Sequence, residues 1–92
     1  MNVSTVKITI IGQVQMVGYR WYVKQYADIL GVTGYVRNAS RGWVEVLAQA
    51  KEDDLDTFID YLKKGPSRAR VDRIIKEPCN ENIKYQRFLI KM

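Results

Sequence analysis

Residues 12–20 read GQVQMVGYR, and 18 residues beyond Arg20 stands Asn38, the last residue of the run YVRN. A turn that leads from a strand into a helix exposes backbone N–H groups with no partner inside the helix. Together with the positive end of the helix dipole they attract an anion. Arg20 falls in the first turn of the expected helix, where that dipole disfavours a cation, and an anion held between the two removes the conflict. The groups on offer are the amides of Gln15, Met16, Val17, Gly18, Tyr19 and Arg20, the Arg20 guanidinium and the Asn38 carboxamide. The chain has no histidine, so the commonest general base and metal ligand are lacking. It also shows no activated serine or cysteine and no carboxylate cluster for a metal. Phosphoryl transfer suits so sparse a set, because catalysis there is mainly positioning and charge stabilisation. A phosphate ester would need a general acid for its alkoxide. A mixed anhydride with a carboxylic acid expels a carboxylate, whose conjugate acid has a pKa of about 4 and which leaves unprotonated. On residue types alone, hydrolysis of an activated phosphoanhydride and simple anion binding both remain open.

The elements that must position these groups follow from hydrophobic spacing. Residues 6–14 alternate as a strand. Tyr19, Val23, Tyr26, Ala27 and Leu30 follow helical spacing up to a stop at Gly31. Residues 32–38 form a second strand, ASRG a short connection, and 43–50 (WVEVLAQA) a third strand with Val44, Val46 and Ala48 on one face. Leu55, Phe58, Ile59 and Leu62 mark a second helix. Glu52, Asp53 and Asp54 lie at its start, Lys63 and Lys64 at its end, and Gly65-Pro66 stops it. Residues 69–75 read as a fourth strand and 85–90 as a short final one, after the turn material PCNEN. The order β-α-β-β-α-β with an extra C-terminal strand predicts a ferredoxin-like α/β sandwich: a mostly antiparallel sheet with two helices on one face. In that fold the first two strands run parallel, joined by a right-handed crossover, so Arg20 and Asn38 converge on one edge of the sheet.

Composition narrows the class further. At 92 residues the chain fits one domain, residues 1–92, and its 47% apolar content suits a folded globule. No apolar run approaches the ~20 residues that span a bilayer, and the N-terminus lacks a signal-peptide layout. The single cysteine, Cys79, permits no internal disulfide and suits a reducing cytoplasm. The net charge of +5 favours anionic partners without choosing among them. RNA-recognition motifs share this element order, but WVEVLAQA does not carry their aromatic strand pattern, so no nucleic-acid partner is expected. Tyr19, Tyr22 and Tyr26 are assigned to core or helix flank, and Trp43 to cross-strand or edge packing.

The segment GQVQMVGYR resembles the acylphosphatase signature V-Q-G-V-G-[FY]-R. The resemblance extends through LGVTGYVRN (30–38), the glycine at 42 before a V-E strand, and GPSRARV (65–71). It implies hydrolysis of acyl phosphates to carboxylate and inorganic phosphate. Arg20 and the amides of Gln15 to Arg20 would bind the phosphate, and Asn38 would position the attacking water. It further implies no metal and no cofactor, assistance by the bound phosphate in deprotonating the water, and a small cytoplasmic monomer. A weakly active or non-catalytic domain that binds acyl or carbamoyl phosphate is the alternative.

Two positions depart from the family pattern. Ala39 follows Asn38 where some relatives have threonine. Met16 stands where the family usually has glycine. A methionine resists positive φ, so Met16 is expected in an ordinary backbone region with Gly18 supplying the unusual angle. On that expectation Met16→Gly would slightly destabilise the fold.

Overall fold

The protein was analysed as a computed structural model that describes residues 2–80 and 82–92. The elements run β1 (Ser4–Gln13), α1 (Tyr19–Leu30), β2 (Thr33–Asn38), a 3-10 turn (Ser40–Gly42), β3 (Val44–Ala50), α2 (Glu52–Lys64), β4 (Arg70–Pro78) and β5 (Phe88–Ile90). This is the ferredoxin-like order with a fifth strand, as the hydrophobic spacing predicted. β4 runs on to Pro78, three residues past the expected end, and the last strand is confined to 88–90. Its expected first part is drawn out of the ladder by a side chain: Tyr85 N–H donates to Gln49 Oε1 at 2.9 Å, and Gln49 Nε2 donates to Ile83 O at 2.6 Å. Within the expected turn PCNEN, Glu81 lies outside the described residues.

The sheet order is β4-β1-β3-β2-β5. β1 pairs antiparallel with β3 and β4, β2 pairs antiparallel with β3, and β5 runs parallel to β2 at the edge. Because β1 and β2 are both antiparallel to β3, they run parallel to each other with β3 between them. Ile10 of β1 and Asn38 of β2 both lie opposite Val44. Ile10 and Asn38 are therefore level, two strand spacings or roughly 10 Å apart, and β1 runs on past that level to Gln13.

Alternation sends Val6, Ile8 and Ile10 of β1 and Val44, Val46 and Ala48 of β3 to the helix-covered face. There they meet Val23 and Ala27 of α1 and Leu55, Phe58, Ile59 and Leu62 of α2. α1 packs on β2 and β5, α2 on β3 and β4, and the helices touch each other. Leu47 and Gln49 of β3 are also buried, on the opposite face. The acidic first turn and basic last turn of α2 match its dipole.

A bulge prepares the exit from β1. Ile11 faces Arg73 but Gly12 faces Val71, so Asp72 is the extra residue of β4. Gly12 has φ 149°, and a Cβ there would lie inside contact distance of the Arg70 carbonyl oxygen. Gly12→Ala is therefore expected to lower the unfolding free energy by about 2–3 kcal/mol. Chemical denaturation checks this, and an unchanged midpoint would mean that β4 gives way freely.

Candidate active site

The loop between β1 and α1 is pinned at both ends by buried side chains, Val14 and Tyr19. The Tyr19 ring is in the core, and its hydroxyl donates to Leu62 O at 2.7 Å. Burial raises its pKa, with the neighbouring Tyr22 adding to the rise. Tyr22 OH likewise donates to Tyr61 O at 2.8 Å. The first turn of α1 is thus fixed to the last turn of α2. Both hydroxyls tie α1 to α2, in keeping with the assignment of Tyr19 and Tyr22 to core or helix flank.

Gly18 caps α1 in the left-handed region, at φ 77° and ψ 17°. Tyr22 N–H is the first to bond back into the helix, to Gly18 O at 3.0 Å. The helical N–H groups before it are left for another acceptor. No acidic side chain occupies this first turn. Arg20 is the second residue of α1, and its Nη1 donates to Lys91 O at 3.1 Å, with Met92 Sδ 4.0 Å away. Asn38 is exposed at the end of β2.

Arg20 and Asn38 line one cleft of about 210 Å³, together with Met16, Gly18 and Tyr19 from the loop and Ile90 from β5. Gln15 and Val17 are not among its lining residues. The Gln15 carboxamide donates to Ala39 O at 3.0 Å and to Trp43 O at 2.8 Å. It ties the loop to the connection that begins one residue after Asn38. Val17 is half-buried and packs against the core. A larger hollow of about 890 Å³ lies at the other end of the sheet, with Lys51, Lys84 and Asp54 among its lining residues. It holds neither the helix-start amides nor the Arg20–Asn38 pair, so size does not select it as the site of the chemistry.

The Glu45 carboxylate, on β3 next to Val44, is paired with two cations. Burial alone would raise the pKa of Glu45, but hydrogen bonds from Arg37 and Lys7 and their charges bring it below the usual value. Arg37 Nη2 approaches it at 2.6 Å and Lys7 Nζ at 3.2 Å. Among the described residues no three of His, Cys, Asp and Glu come together in a way that could hold a metal. No described helix is long and apolar enough to cross a membrane.

The expectation for Met16 is corrected. Its φ is 63°, in the left-handed region, and its side chain is 98% exposed. Closing a four-residue loop between two buried anchors overrides a local preference of about 1–2 kcal/mol. Met16→Gly should therefore stabilise the fold, by roughly 0.5–1 kcal/mol once the extra freedom of glycine in the unfolded chain is subtracted. A lower melting temperature in that variant would refute the strain.

Several features of this corner lie outside local pattern. β5 brings Ile90 to the cleft and the Lys91 carbonyl to Arg20, and Gln15 ties the loop to the Ala39 and Trp43 carbonyls. Trp21, which also lines the cleft, is 59% exposed. The apolar alternation of the last strand was a signal for Ile90, but its pairing partner was not encoded locally.

The acylphosphatase family model matches residues 6–90. The acylphosphatase of Bordetella parapertussis is 37% identical over 87 residues, 95% of this chain and 93% of its own length. That of Deinococcus radiodurans is 48% identical over 63 residues, 68% of this chain and 72% of its own. The crystal structure of acylphosphatase from Bacillus subtilis superposes with a TM-score of 0.92 at 31% identity, covering 99% of this chain and all of that one. Matched in sequence from β1 to β5 and in fold from end to end, the chain belongs to the acylphosphatase family of hydrolases.

Proposed function

We propose that the cleft between the β1–α1 loop and the end of β2 binds the phosphoryl group of an acyl phosphate. In this reading the amides of residues 15–20 and the Arg20 guanidinium hold the phosphoryl oxygens. Asn38 holds the water that attacks phosphorus. The water oxygen forms the new P–O bond as the bond to the carboxylate oxygen breaks. One water proton passes to a phosphoryl oxygen, so an acyl phosphate dianion and water become a carboxylate and dihydrogen phosphate. The leaving carboxylate needs no proton, which suits a site without an acid group.

The observation that carries this reading is the convergence of Arg20 and Asn38 on one cleft, set by the common register of Ile10 and Asn38 opposite Val44. A guanidinium and helix-start amides strengthen as charge gathers on the equatorial oxygens, and fixed donors need no reorganisation. The enzyme would work as a cytoplasmic monomer without metal, with the single thiol of Cys79 kept reduced.

The test is release of inorganic phosphate from benzoyl phosphate in excess chelator. Turnover with competitive inhibition by inorganic phosphate is expected. Tight phosphate binding without turnover would identify a ligand-binding regulatory domain instead. Activity lost to chelator and restored by a divalent ion would overturn the metal-free mechanism.

A further inference from the structure

The cleft is small. At about 210 Å³ it falls below the ~300 Å³ at which pockets begin to enclose whole drug-sized ligands, so a phosphoryl group and its nearest atoms fill it. The rest of an acyl phosphate must lie on the rim. Two large apolar side chains stand there in water: Met16, 98% exposed, and Trp21, 59% exposed. One comes from the loop and the other, next to Arg20 in sequence, from the first turn of α1. A third, Met92, is fully exposed with its sulfur 4.0 Å from Arg20 Nη1.

Met16 carries two unfavourable features at once. Its backbone is in a conformation suited to glycine, and its thioether side chain is bare to solvent. An outlier of this kind at the mouth of a site is where function offsets a local cost. Met16 lines the cleft with its side chain in solvent rather than in the core. A methionine there adapts to ring edges, and an indole offers a flat face.

We infer that Met16 and Trp21 form an apolar shelf for the acyl substituent, making bulky apolar acyl phosphates, aromatic ones above all, the preferred substrates over acetyl phosphate. This rests on the reading of Arg20 and Asn38 given above. The shelf touches the leaving half of the substrate and leaves the phosphoryl half to the cleft. Contacts of this type are worth a few-fold each in rate.

The experiment compares kcat/KM for benzoyl and acetyl phosphate in the native chain, in Met16→Asn and in Trp21→Gln. Asparagine tolerates the left-handed backbone and glutamine suits a helix, so each change removes the apolar surface and keeps the local backbone. Any effect on the phosphoryl half is common to both substrates and cancels in their ratio. The differing basicity of benzoate and acetate cancels when variants are compared. Each variant should lower the benzoyl-to-acetyl ratio about three- to tenfold. In the native chain phenylphosphonate should inhibit about three- to tenfold more tightly than methylphosphonate, a readout that needs no variant. Ratios unchanged in both variants, or equal inhibition by the two phosphonates, would overturn the shelf while the catalytic reading stands. A folded native chain that hydrolyses neither substrate would overturn both.

Discussion

Arg20→Gln is expected to lower kcat/KM for an acyl phosphate by about 10³-fold or more and to weaken inorganic phosphate binding at least tenfold. Among the described residues the guanidinium is the one charged side chain lining the cleft, and its flat fork matches two phosphoryl oxygens at once. Glutamine keeps a donor but removes the charge that grows in value as the transition state forms. The fold should survive. Arg20 is only half-buried, and its recorded bonds reach the Lys91 carbonyl and Met92 sulfur at the C-terminus. Phosphate titration by calorimetry, with melting as the control for folding, measures the effect. Unchanged phosphate affinity in a folded variant would remove Arg20 from the site.

Asn38→Ala should act differently, cutting kcat by about 10²–10³-fold while KM stays within roughly twofold. A group that orients water contributes in the transition state and little to the bound ground state. Asn38 is exposed at the end of a paired strand, so truncation leaves no cavity and the ladder to Val44 is untouched. Steady-state kinetics with benzoyl phosphate separates the alternatives. A raised KM with normal kcat would assign Asn38 to substrate binding.

Both expectations draw on residues whose types and spacing were legible in the chain. The i, i+3, i+4, i+7 set of α2 with its charged ends, the alternation of β1 and the helical spacing after Tyr19 each express one local periodicity. Local periodicity is what a sequence records most directly. The meeting of Arg20 and Asn38 needed only one rule more, that strands joined by a crossover helix run parallel. Met16 shows where such reading stops. Its side chain argued for ordinary backbone, yet the loop must close between buried Val14 and Tyr19. Burial of the two anchors outweighs a backbone preference of about 1–2 kcal/mol.

The sequence by itself determined the element order, the apolar faces that build the core, and the small set of polar groups to which we assign the chemistry. Those properties depend on residue type and on separations of a few residues. Only the tertiary structure decided that β5 lies parallel to β2 and delivers Ile90 to the cleft and the Lys91 carbonyl to Arg20. It also decided that Gln15 braces the loop through Ala39 and Trp43, and that exposed Met16 lines the same cleft as Trp21. These are contacts between residues up to 71 positions apart, and in Met16 a conformation imposed from both ends. No local preference encodes such outcomes, because the energy that selects them belongs to the packed whole.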